Sequence, residues 1–128
     1  MSTKNYLYAD LTEKIIGAAF FVHNSLGKGL SEKTYENALV KLRHLGIKVD
    51  QQKTLPLFFD NEKVGDQVID LVVDKKIIVE TKAVKRLLKD HETQLLIYLK
   101  NTRFQVGLLI NFGSSVEVKR LILTEQNK

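Results

Sequence analysis

The chain has 128 residues, 44% of them hydrophobic and 27% charged, a composition that fits one compact globular unit over residues 1–128 and excludes a disordered or fibrous chain. It contains no cysteine, which excludes disulfides, cysteine-based zinc sites and thiol nucleophiles. The formal net charge is +5, and residues 75–89, with six basic side chains against the single acid Glu80, account for all of it.

Residues 1–5 lead into Asp10 and Glu13 before any long apolar run, so we expect neither a signal peptide nor a membrane span, and a cytoplasmic protein. Asp10-Leu11-Thr12-Glu13 reads as a capping box, followed by Ile15, Ala19, Val22 and Leu26 at helical spacing until Gly27 and Gly29 stop the helix. Ser31 is placed to cap a second helix with the apolar stripe Tyr35, Ala38, Leu39, Leu42 and Leu45, ended by Gly46. Residues 47–53, 55–59 and 63–73 are rich in β-branched and aromatic side chains and predict a meander, with Asp60-Asn61-Glu62 as the turn before the last. After Asp74-Lys75-Lys76, a short apolar strand, Ile77-Ile78-Val79, ends in Glu80-Thr81-Lys82. A basic loop follows, then a helix over 90–101, a nearly continuous apolar strand over 104–111 and a last strand over 116–123. This order predicts an α/β fold in which a mixed β-sheet is flanked by helices on both faces.

Asp70 interrupts the apolar run Val68-Ile69-Asp70-Leu71-Val72-Val73, and ten residues on Glu80 and Lys82 interrupt the next strand. Alternation puts Ile78, Glu80 and Lys82 on one face. With a three-residue turn at 74–76, Val73 pairs with Ile77 and Asp70 falls opposite Glu80, both pointing the same way; a two-residue turn would separate them. Opposed carboxylates repel, and a divalent cation removes that cost. Mg²⁺ takes oxygen ligands and keeps several waters, so Asp70, Glu80 and the backbone carbonyl of Thr81 suit it, and Lys82 would lie near a metal-bound water. The competing reading makes Asp70 and Glu80 ion-pair partners of Lys82. The basic residues beyond, Lys85, Arg86 and Lys89, have the composition of a phosphate-backbone footprint or, equally, of a solvated loop.

An Asp followed by Glu-x-Lys on paired strands, here Asp70 and Glu80-Thr81-Lys82, resembles the PD-(D/E)XK nuclease superfamily. More closely, Gly29, Glu32 and Tyr35, followed by Glu36, Ala38 and Leu39, resemble the GxxExxY protein family. Gln94-Leu-Leu-Ile-Tyr98 matches the Gln-x-x-x-Tyr element of RecB-like members, and the likeness continues through Gly107-Leu-Leu-Ile-Asn-Phe-Gly113. Ile69 stands where the superfamily often has proline. The resemblance implies a restriction-endonuclease-like α-β-β-β-α-β core and Mg²⁺- or Mn²⁺-dependent hydrolysis of phosphodiester bonds, most naturally in DNA. It implies that Gln94 and Tyr98 orient the scissile phosphate or Lys82, and that Glu32 or Glu36 on the first core helix approaches the metal. It also raises His23 as an upstream metal ligand. For Glu36 the helix dipole alone accounts for an acid at that position, and for His23 a half-buried packing role does. His91 shares a helix face with Gln94 and Tyr98 at steps of three and seven.

The alternatives to an enzyme are a nucleic-acid-binding module that grips its ligand through residues 75–89 without turnover, and an interaction domain with a purely structural ion-pair cluster. A chain with one site would need a second copy, in a twofold homodimer, to cut both strands of a duplex at once.

Overall fold

The computed structural model describes residues 6–128; the reading of residues 1–5 lies outside them. Helix α1 (Ala9–Leu26) starts one residue before Asp10, with Tyr8 at φ 58° as its cap and no side-chain cap bond. Asp10 therefore sits inside the first turn, where its charge meets the positive end of the helix dipole, rather than capping it as the capping-box reading expects. Gly27, at φ 84°, ends the helix. Ser31 does cap helix α2 (Glu32–Leu39), its hydroxyl accepting the Thr34 N–H at 3.2 Å. The expected longer helix tightens at Val40 into a 3-10 turn over Val40–Leu45. Leu42 remains buried across that change, but Leu45 swings out to 68% exposure and leaves the core stripe.

Strand β1 (Val49–Phe59) is one continuous element, not two, and it forms an edge of the sheet, where Pro56 costs no ladder bond needed by a second neighbour. Asp60 and Asn61, at φ 52° and 64°, make a two-residue turn of the type that asparagine and aspartate tolerate, so Glu62 already belongs to strand β2 (Glu62–Val73). The next connection is the three-residue turn Asp74-Lys75-Lys76, and Val73 pairs with Ile77 at the start of strand β3 (Ile77–Lys82). Helix α3 (Lys89–Lys100) carries the chain to strand β4 (Val106–Phe112), parallel to β3, and strand β5 (Val116–Ile122) returns antiparallel. The sheet order is β1-β2-β3-β4-β5.

All seven residues of β4 are buried, because the strand is covered on both faces. One face packs Leu71, Val73, Val79, Leu108 and Ile110 against Ile15, Ala19, Tyr35 and Leu39 of α1 and α2. The other packs Ile69, Val72, Ile78 and Leu109 against Leu95 and Leu99 of α3. Gly107 allows that second contact: a Cβ there would meet the Leu95 side chain at 2.9 Å.

Candidate active site

Membership of the two cores shows a break in the alternation of β2. Leu71 and Val73 face α1 and α2 as alternation demands, yet Ile69 lies with Val72 on the α3 side. The phase is lost at Asp70. The partner strand loses it at the same level: pairing runs from Gln51↔Leu71 to Lys53↔Ile69, passing over Gln52 and Asp70 without shifting the register. Gln52 takes φ 51°, a left-handed conformation that glutamine rarely adopts. Strand alternation alone gave no sign of this double irregularity, which frees Asp70 from the β1 ladder.

The ladder between β2 and β3 stops at Leu71↔Val79, one pair short of Asp70 and Glu80. Side chains take over there. The Glu80 carboxylate accepts the Asp70 N–H at 3.2 Å, and Asp70 accepts the Thr81 N–H at 2.9 Å and the Thr81 hydroxyl at 3.0 Å. Each acid is thus fixed by the opposite strand, and Thr81, wholly buried, serves as the anchor of Asp70. Glu80 is only 9% exposed, and burial, followed by the charge of Asp70, pushes its carboxyl up to about 8. Two anions cannot comfortably share this end of the sheet unless a cation joins them. Lys82, half-buried on the same face as Glu80 by alternation, supplies part of that charge and acts on both Glu80 and Glu32.

The two helical layers close around the pair. Tyr35 donates to the Gly27 carbonyl at 2.6 Å and accepts the Leu30 N–H at 3.2 Å, so the α1–α2 connection is drawn shut and α2 begins at Glu32. Partial burial raises the Glu32 carboxyl above its ordinary range, and the charges of Lys82, Asp70 and Glu36 reach it. Glu36, one turn on, is 2% exposed and accepts from Lys33, Gln51 and Gln52 at 2.6–3.1 Å. It is therefore a wall of the site, not the solvent-facing dipole partner that its position suggests. Gln52 also reaches the Asp70 carboxylate at 3.4 Å. Gln51 and Gln52 were not singled out in the sequence, where two polar residues on an edge strand look solvated.

From the other layer, Gln94 donates to the Tyr98 hydroxyl at 3.0 Å, and Tyr98 is raised by burial first and by the charge of Glu80 second. His91 accepts the Leu88 N–H through Nδ1 at 3.0 Å, which ties it to the start of α3. His23 stands apart. Its Nε2 donates to the Gly113 carbonyl at 2.8 Å and its ring lies beside the directly stacked Tyr35–Phe112 pair, 6.4 Å from each ring centre, a packing role that leaves that nitrogen occupied.

Lys85 and Arg86 lie exposed on the connection from β3 to α3, and Lys89 opens the helix. Asn111, wholly buried, holds that connection: it accepts the Val84 N–H and donates to the Val84 carbonyl, both at 2.9 Å. Gly113 lets the backbone come close, since a Cβ there would stand 2.7 Å from the Val84 carbonyl oxygen. Asn111 and Gly113 belong to a motif noted in the sequence, but their task is visible only in three dimensions.

Among the described residues no three His, Asp or Glu side chains converge into a ready-made metal cluster. The donor set is the Asp70–Glu80 pair, and Mg²⁺-type ions are commonly held by one or two carboxylates with water completing the shell. Two facing carboxylates, a lysine two residues on and a helix face of glutamine and tyrosine, on a helix-flanked mixed sheet, define a restriction-endonuclease-like α/β architecture. The family model of the PD-(D/E)XK nuclease superfamily matches residues 9–121, and the chain belongs to that superfamily. Its nucleases generally use divalent metal ions and act on nucleic acid. Among solved structures, the crystal structure of SSO0001 aligns with a TM-score of 0.50 at 16% identity, over 93% of this chain and 81% of that one, a likeness of fold. No curated protein matches the sequence. Among the described residues, no helix is long and apolar enough to cross a membrane.

Proposed function

We propose that the chain is a nuclease that hydrolyses phosphodiester bonds of DNA with Mg²⁺ or Mn²⁺. The observation that carries this reading is the crossed pair of carboxylates at the open end of β2 and β3, where Glu80 cannot easily stay charged beside Asp70 unless a cation is present. Asp70 and Glu80, with the Thr81 carbonyl, would hold the ion, and Glu32 would stand at the rim. Bound there, the ion supplies a Lewis acid and makes a water ligand more acidic. Lys82 positions the attacking water. Gln94 and Tyr98, joined by their hydrogen bond, orient the scissile phosphate. Lys85, Arg86 and Lys89 meet phosphates on either side, on a connection that Asn111 keeps fixed. The spacing of Gly29, Glu32 and Tyr35 supports placing the chain among GxxExxY proteins, because Tyr35 closes the loop that presents Glu32. Cutting both strands of a duplex at once would take a homodimer.

The test is incubation of purified protein with end-labelled single-stranded, duplex and branched DNA in Mg²⁺, Mn²⁺ or EDTA. Cleavage in metal, absent in EDTA and in Lys82→Ala, is the expected result. Salt-dependent binding with no such cleavage would replace the enzyme with a binding module on the same fold.

A further inference from the structure

At the far end of α3 from the site lies a cavity of about 520 Å³, within the ordinary range for a small-ligand pocket. Its walls are apolar: Leu55, Pro56, Phe58, Val72 and Phe104. Its rim carries Lys53, Lys75 and Arg103 against one acid, Asp50. Among the described residues none of these three cations has an ion-pair partner. Arg103 lies over the Phe104 ring, 5.9 Å from its centre, which orients its guanidinium without neutralising it. The register irregularity between Leu57 and Phe58 turns the edge strand where Phe58, 61% exposed, forms the lip. Directly across from Leu55, on the same face, Gln67 is 7% exposed, and neither end of its amide has a partner. A buried amide left unpaired is costly unless a water or a ligand meets it.

An aromatic and aliphatic floor beneath unpaired cations fits a ligand that is both apolar and anionic, and in a superfamily that acts on nucleic acid the planar base and phosphate of a nucleotide supply both. A simple anion would leave the apolar walls unused, and an apolar ligand would leave the cations uncompensated. We infer that this cavity binds one nucleotide unit, the base against Phe58, Pro56 and Phe104 and the phosphate at Lys53, Lys75 and Arg103. The pocket and the Gln94–Tyr98 pair share the α3 side of the sheet, and Gln94 and Asn101, at the pocket's edge, are seven residues apart along the helix direction. That is about 10 Å, or roughly three stacked nucleotides. On the nuclease reading above, the unit is therefore an unpaired nucleotide of the bound strand about three positions from the scissile phosphate; that placement rests on the nuclease reading, whereas the pocket's chemistry does not.

The experiment follows backbone amide shifts of the full chain during titration with dAMP, deoxyadenosine or inorganic phosphate, in EDTA so that the carboxylate site plays no part. Shifts confined to the pocket with dAMP, and binding at least about tenfold weaker for either fragment, are expected. The exposed double variant Lys53→Ala/Arg103→Ala should lose about tenfold or more in dAMP affinity with an unchanged melting temperature, and Phe58→Ser a comparable amount. A second arm compares blunt duplex with duplex bearing a single-stranded tail: the tail should tighten binding in wild type and in Lys82→Ala but not in Lys53→Ala/Arg103→Ala. Equal binding of phosphate and dAMP would reduce the pocket to an anion patch, and no dAMP binding at the pocket would overturn the inference whether or not the protein cuts DNA. Binding of dAMP with no gain from the tail would overturn the placement on the strand and leave a free-nucleotide site. Should cleavage fail while dAMP still binds, the nuclease reading falls and the pocket stands.

Discussion

Lys82 and Asn111 are paired neighbours in the parallel ladder of β3 and β4, and they divide two kinds of buried polar chemistry. On the Asn111 side each amide group is satisfied: its oxygen by the Val84 N–H, its nitrogen by the Val84 carbonyl and Glu117. On the Glu80 side the polar groups are just as well fixed in place, but the charges are not balanced, because two acids share one end of the sheet. A satisfied amide stabilises the fold and asks for no ligand. A fixed but unbalanced pair of carboxylates lowers the stability of the metal-free protein and is suited to a cation, so the same strand end holds a clamp and a site side by side.

Cleavage should show the largest divergence between the two regions. Lys82→Ala is expected to lower turnover of saturating DNA by about 10²–10⁴-fold, as removal of a group acting on the attacking water does, while binding falls little. Equal loss of turnover in a variant of the Asn111 clamp that stays folded and binds DNA normally would erase the distinction.

Stability should diverge in opposite directions. Asn111→Leu leaves both Val84 backbone groups and Glu117 without their partner, and we expect a loss of about 3 kcal/mol, or a melting temperature lower by roughly 10 °C. Glu80→Gln keeps an acceptor for the Asp70 N–H but removes the buried charge, so in EDTA at pH 9 it should raise the melting temperature. The pH dependence follows from the sign of the Glu80 shift. Its folded value of about 8 lies above the ordinary 4.5, so between them the folded protein holds a proton that the unfolded chain has released. Stability in EDTA should therefore fall as pH rises from about 4.5 to about 8 and level off above. Thermal melts across that range should be flatter in Glu80→Gln; an identical slope in the variant would assign the titration to another group.

The smallest effect belongs to the connection that the clamp holds. Replacing Lys85, Arg86 and Lys89 together with alanine should reduce the slope of log affinity against log salt by about 2.7, at roughly 0.9 per phosphate contact, with turnover at saturation largely intact. An unchanged slope would make these residues a solvated surface.

Much of the site was legible because it depends on counting. A three-residue turn at 74–76 fixes Val73 opposite Ile77, and the same count brings Asp70 and Glu80 to one level, although the ladder stops at Leu71↔Val79 and side-chain hydrogen bonds join the two acids' strands beyond it. What could not be read was the break in phase at Gln52 and Asp70, since nothing in the glutamine side chain announces φ 51° and only the sorting of Ile69 and Val72 into one core reveals it. Glu36 shows a related limit: an acid near a helix start suits the dipole wherever it points, and its bonds from Gln51 and Gln52 exist only once β1 lies beside α2. Ser31 was legible as a cap because capping is local, whereas Asp10 was displaced by a start one residue earlier at Ala9. The sequence showed His23 on an apolar helix, and the stacking against Tyr35 and Phe112 shows what holds it there.

The central claim, that Asp70 and Glu80 form a divalent-cation site, is tested most directly by calorimetric titration of the metal-free protein with Mn²⁺ near neutral pH. Wild type should bind one ion per chain with release of protons, because Glu80 must give up its proton to bind, and Asp70→Asn and Glu80→Gln should show no binding at this site. Undiminished binding in both variants, or none in the folded wild-type protein, would contradict the account.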